Sequence, residues 1–109
     1  MTKLLNNVMT MSNLKNAVDL VRLAQQLNVD IPAVLDVISD SGGGSASLRT
    51  LGTVITPHLQ GLMRKDIEHF ADAVRAQGFD PEELRRRALA GADGLVKAVA
   101  LATAPGHAA

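Results

Sequence analysis

From Lys3 to about Asn28 no proline or glycine interrupts the chain, and apolar residues recur at helical spacing through Leu4, Val8, Met11, Val18 and Val21. At a rise of ~1.5 Å per residue this run makes a helix nearly 40 Å long, more than a compact domain of this size is wide. With 109 residues in all, there is chain for one domain and no more. One end of the helix must therefore protrude or pack on something else. The helix is also apolar on more than one side, which points to a partner surface beyond its own domain, either a second copy or further chain.

The rest reads as shorter helices separated by breaks, with no strand alternation. Asp30 suits the cap of a short helix with Pro32 in its first turn and Val34, Leu35 and Ile38 on one face. Ser39 through Ser47, with Gly42, Gly43 and Gly44, is a loop. A third helix carries Leu48, Leu51 and Ile55 and is stopped by Pro57. A fourth spans about Leu59 to Gln77, with Gly78 fit for its C-terminal cap. Asp80, Pro81 and Glu83 form the start signal of a fifth, whose apolar line is Leu84, Ala88, Leu95, Val99 and Ala102. The expected fold is all-α, about five helices packed around the long first one. Its domain occupies residues 1–103, and residues 104–109 form a disordered tail. There is no internal repeat.

Composition removes several classes of function. Lys+Arg and Asp+Glu are equal at 11 each, so bulk charge gives no attraction to nucleic acid or to an acidic membrane. The two aromatic residues, Phe70 and Phe79, are too few for base stacking. Cysteine is absent, which excludes disulfides and thiolate metal sites. His58, His69 and His107 are scattered without metal-ligand spacing. No stretch is long and apolar enough to span a bilayer, and the start lacks a signal peptide's apolar core. A cytoplasmic protein is expected. The glycine run lacks the Gly-Lys-Ser/Thr of a phosphate cradle. Arg85, Arg86 and Arg87 fan around a helix, as a solvated surface does.

Two places hold polar residues where helical geometry makes them awkward. Lys3 and Asn7 are four apart and stack on one strip, with Thr10 next and then apolar Leu14, Ala17 and Val21. This is either the wall of a cleft or a solvated first turn. Asp66 lies between Leu62 and Phe70 and in line with Ala73, so its carboxylate points along the buried stripe of the fourth helix. A buried carboxylate needs a partner. Lys65 diverges from it by about 100° and is a poor one. The other reading is a boundary aspartate leaning into water or paired with an arginine.

Four segments in register resemble the β-hydroxyacid dehydrogenases, the group of 3-hydroxyisobutyrate dehydrogenase, tartronate semialdehyde reductase and the glyoxylate/succinic semialdehyde reductases. Lys3-Leu4-Leu5-Asn6-Asn7 is similar to their catalytic segment, and Asn28-Val29-Asp30-Ile31-Pro32 to the turn after the long helix. Ser41 to Leu48 resembles their glycine/serine loop, and Gly61-Leu62-Met63-Arg64-Lys65-Asp66 their Lys-Asp helix. The likeness covers about residues 3–90 and is to the C-terminal helical domain.

The resemblance implies a complete enzyme in which an N-terminal Rossmann domain, absent from this sequence, binds NAD or NADP and the active site lies in the cleft between domains. It implies Lys3 as the catalytic lysine, Asn7 as a substrate ligand and Lys65 beside the cofactor. It also implies Asp66 as an anchor paired with Lys3. His58 stands where relatives often place an aromatic residue beside the cofactor. The implied substrate is a small hydroxy acid or semialdehyde, and the implied assembly is a homodimer. Imine reductases usually replace this lysine, and 6-phosphogluconate dehydrogenase usually has histidine where this chain has Asn6. Alone, the chain is expected to bind no cofactor tightly and to be inactive. The rival expectation is a non-catalytic helical association module built on the same fold.

Overall fold

The computed structural model describes residues 1–104; the tail expected at 104–109 falls, apart from Ala104, outside the described residues, as does His107. Six helices follow in order: α1 (Thr2–Gln26), α2 (Ile31–Ser39), α3 (Ala46–Arg49), α4 (Leu59–Ala76), α5 (Glu82–Asp93) and α6 (Leu95–Thr103). Helix α1 is the spine. Its inner face, with Met11 and Leu14 sealed from solvent and Val8, Val18 and Val21 nearly so, packs on α4, α5 and α6. Ile67 and Phe70 of α4, Ala88 and Ala92 of α5 and Leu95 of α6 complete the core.

The closest approach is between α1 and α5. A Cβ built on Gly91 would stand 2.0 Å from the Met11 carbonyl oxygen, and one on Gly94 would stand 2.7 Å from Val18 Cγ1. Glycine and alanine on α5 therefore let two backbones meet almost directly.

The helix starts follow their sequence signals. Asp30 accepts from Ala33 N–H at 3.3 Å with Pro32 in the first turn, and Asp80 accepts from Glu82 N–H at 2.9 Å. Gly78 follows α4 with φ +86°, the left-handed conformation expected of a residue past a helix end.

Three details differ from expectation. The third helix is one turn only: Thr50 O accepts from the N–H groups of Thr53, Val54 and Ile55, and Gly52 takes φ +91°. Leu51 and Ile55 thus meet through a bridge rather than along a helix face. The fifth helix is broken at Gly94 into α5 and α6, which turns the chain around Val18. Leu62 and Leu84, read as parts of apolar lines, are exposed; Met63, Ile67 and Phe70 make the buried face of α4 around Asp66.

Candidate functional site

Asp66 is 7% exposed and Asn7 is 8% exposed, so both are buried polar residues on facing helices. Asn7 Nδ2 donates to Asp66 Oδ2 at 2.7 Å. Helical geometry sets up this contact from both sides: the strip Lys3, Asn7, Leu14 turns Asn7 toward α4, and Met63, Ile67 and Phe70 carry Asp66 inward with them. A charge-assisted hydrogen bond of this length offsets part of the cost of burying the carboxylate.

The partner expected for Asp66 was Lys3, and here the structure corrects the sequence reading. No salt bridge within 4.0 Å joins them among the described residues, and the donor is Asn7. Lys3 lies one turn nearer the start of α1 on the same strip and is exposed, so its long side chain has its ammonium in solvent. The outer turn of the strip is therefore solvated and its next turn is buried.

Asp66 retains acceptor capacity. An ionised carboxylate offers about four lone-pair positions, and the described residues supply it one hydrogen bond. The one sealed side-chain atom without a partner among the described residues is Ser12 Oγ, so Asp66 Oδ1 keeps contact with solvent. The pair is thus buried, with one carboxylate oxygen not fully enclosed.

Lys65 follows at the surface of α4 about 100° around from Asp66, and no carboxylate lies within salt-bridge distance of it among the described residues. His58 precedes α4 and is exposed, about 12 Å from Asp66 along the helix. The structure accordingly brings Asn7 and Asp66 into contact, sets Lys3 and Lys65 at their rim, and leaves His58 two turns away. Among the described residues no group of three histidine, aspartate or glutamate side chains could hold a metal. No helix among them is long and apolar enough to cross a membrane.

The arginine run is spent on intramolecular pairs. Arg85 binds Glu68 at 2.7 Å and Glu82 at 3.4 Å, and Arg86 binds Glu83 at 2.8 Å. Arg87 donates to Asn16 Oδ1 at 3.4 Å.

One feature escaped the sequence. A cleft of about 410 Å³ lies between α1 and the glycine/serine loop, with Asn13 and Asn16 on one wall, Gly43 and Gly44 opposite, and Leu20 and Leu48 in its lining. Asn13 and Asn16, three apart on α1, were its signal in the sequence. Ser45 caps α3 through Leu48 N–H, and Ser47 Oγ donates to Thr10 O, so the loop is tied to α1 rather than free to close on a phosphate.

The family described as "NAD-binding of NADP-dependent 3-hydroxyisobutyrate dehydrogenase" matches residues 1–87. No curated protein and no solved structure matches the chain.

Proposed function

Because the chain belongs to this family, as the C-terminal domain of 3-hydroxyisobutyrate dehydrogenase-like enzymes, we propose that it supplies the substrate half of an NAD(P)-dependent dehydrogenase. In this reading a Rossmann domain completes the site, the substrate is a small 3-hydroxy acid or semialdehyde, and the enzyme is cytoplasmic. The observation that carries it is the buried hydrogen bond from Asn7 to Asp66, one turn inside Lys3.

The residues have separate tasks. Lys3 exchanges a proton with the substrate oxygen, giving it to a carbonyl in reduction and taking it from a hydroxyl in oxidation. Asn7, held by Asp66, offers its second N–H and its carbonyl oxygen to the substrate. Asp66 positions Asn7. Lys65, exposed and without a carboxylate partner among the described residues, fits the anionic side of NAD(P), and His58 lies at the far edge of that surface. When bound, NAD(P) supplies the hydride acceptor or donor. The domain also carries the self-association of the enzyme as a homodimer.

Assaying small 3-hydroxy acids with this chain alone and with a matching Rossmann domain tests the reading. The isolated chain is expected to be inactive and the mixture active, with Lys3→Ala reducing kcat in the mixture by about 10²–10⁴. Turnover by the isolated chain, or full activity of the Lys3→Ala mixture, overturns it. The second reading, a non-catalytic association module, is favoured by the exposed leucines of α1; it requires that no mixture be active and that Lys3→Ala change nothing.

A further inference from the structure

The cleft between α1 and the glycine/serine loop lies away from the Asn7–Asp66 pair. Asn13 and Asn16 stand 6 and 9 residues past Asn7, which turns them about 120° and 180° around α1 and carries them about 9–14 Å along it. The floor is apolar, built by Ala17 and Leu20 of α1, Ile38 of α2 and Leu48 of α3. A volume of about 410 Å³ falls in the range of small-molecule sites. At about 30 Å³ for each water displaced, it holds a ligand of about a dozen non-hydrogen atoms.

The polar side of the cleft is weighted toward donors and positive charge. Asn16 Oδ1 is occupied by Arg87 at 3.4 Å, which leaves the N–H groups as the free end of that amide. Half-buried Asn13 adds a second amide. On the loop, the N–H groups of Gly43 and Ser45 donate to no backbone carbonyl among the described residues. Arg49 lays a guanidinium nitrogen 3.1 Å from where a Cβ on Gly44 would stand. Neither Arg49 nor Arg87 has a carboxylate within salt-bridge distance among the described residues. No aspartate or glutamate lines the cleft, and Asp19, beside Leu20, is paired with Lys15 at 2.6 Å. An apolar floor with an unpaired guanidinium at either wall is complementary to an anion that carries its own apolar body.

We propose that this cleft binds a small monocarboxylate with a short apolar tail, at a site separate from that of the proposed reaction. The tail lies on Ala17, Leu20, Ile38 and Leu48. At the polar side the Asn13 and Asn16 amides donate to the carboxylate, and Arg49 supplies the counter-charge, its planar fork matching a planar anion. Inorganic phosphate is the poorer fit. The hydroxyls of Ser45 and Ser47 are already spent on Leu48 N–H and Thr10 O, and phosphate brings no tail to the floor. A neutral alcohol covers the floor but leaves both guanidinium groups without a counter-charge.

Octanoate, close to that size, is the probe, titrated below its micellar range into the isotope-labelled chain and followed by NMR. Saturable shifts are expected at the side-chain amides of Asn13 and Asn16 and at the backbone amides of Gly43 and Gly44, with a Kd at or below about 1 mM. Octanol and inorganic phosphate, each lacking one half of the ligand, should bind at least about tenfold more weakly. Asn13→Asp keeps the side chain's shape but sets a like charge in the lining. It should weaken octanoate at least about tenfold and leave octanol unchanged. Arg49→Gln should weaken octanoate by about two- to fivefold, the usual worth of an exposed cation. Lys3→Ala should leave octanoate binding as it is. Octanol binding as tightly as octanoate, an Asn13→Asp chain that binds octanoate undiminished, or shifts centred on Lys3 and Asn7 would each overturn the proposal. So would unsaturable shifts scattered over Leu5, Met9 and Leu23, or no shift at all. The reading of Asn7 and Asp66 survives any of these, because its own test is turnover with a Rossmann domain.

Discussion

Helix α1 meets its two main neighbours in different ways. Against α5 it is held backbone to backbone: Gly91 touches the Met11 carbonyl, Gly94 abuts Val18, and Ala88 and Ala92 are sealed from solvent. Against α4 it is held by side chains, and among the apolar ones sits the hydrogen bond from Asn7 to Asp66. The first seam brings the two backbones together, and a polar side-chain contact across it, Arg87 to Asn16, lies at its exposed margin. The second leaves a carboxylate oxygen not fully enclosed. The contrast gives one seam direct backbone contact and the other a buried polar pair on the same helix.

The largest effect should come from Gly91→Ala, which strikes the seam with α5. The added methyl collides with a main-chain carbonyl and not with a flexible side-chain end, so the helices must separate along their length. Alanine's helix propensity returns about 1 kcal/mol, whereas overpacking against backbone costs about 3 kcal/mol or more. A net loss of at least about 2 kcal/mol in denaturant unfolding is expected from these two terms. Unchanged stability would mean that the α1–α5 contact is looser than drawn and that the contrast with α4 fails.

The seam with α4 should respond by a different rule. Asn7→Ala removes the donor of a buried carboxylate and should cost about 1–3 kcal/mol. Replacing both partners, as Asn7→Leu with Asp66→Leu, should recover most of that loss, because two apolar side chains need no hydrogen bond. In a reconstituted enzyme the same double variant should remain inactive. Recovered stability with lost turnover would separate the pair's chemical role from its packing role. A double variant less stable than either single one would assign the pair to the fold alone.

The same contrast explains what could be read from the sequence. Periodicity reported that Asp66 points inward, because Ile67 and Phe70 fix the buried face of α4. It could not name the partner: Lys3 and Asn7 share one strip, and which of them lies deeper depends on where α4 crosses α1. Caps were legible because Asp30 and Asp80 act within three residues of themselves. The third helix was misread because Leu48, Leu51 and Ile55 repeat at helical spacing while Gly52 takes a left-handed φ, and a spacing pattern carries no dihedral. Gly91 and Gly94 lay inside a helical pattern as ordinary weak points. That both stand in close contact with α1 follows from their neighbours in space, which single-chain periodicity does not contain.

The smallest expected effect belongs to Glu68, two positions beyond Asp66 on the same helix but facing Arg85 of α5 at the surface. The hydrogen bond from Arg85 holds its carboxyl below the ordinary value of 4.5; burial opposes this, and the charges of Arg85, Arg75 and Arg64 add to the lowering. A carboxyl lowered in the folded state stabilises the fold above its unfolded value. That contribution is therefore complete above pH 4.5 and fades as pH falls through the lowered folded value. Arg85→Ala should return Glu68 toward its ordinary value, so the variant should lose less stability on acidification than the wild type. Thermal melts at neutral and acid pH measure the difference, which should shrink in high salt because the pair is exposed. A salt-independent difference would place Glu68 with Asp66, as a carboxylate shielded by burial, and would erase the division between an exposed acid and a buried one.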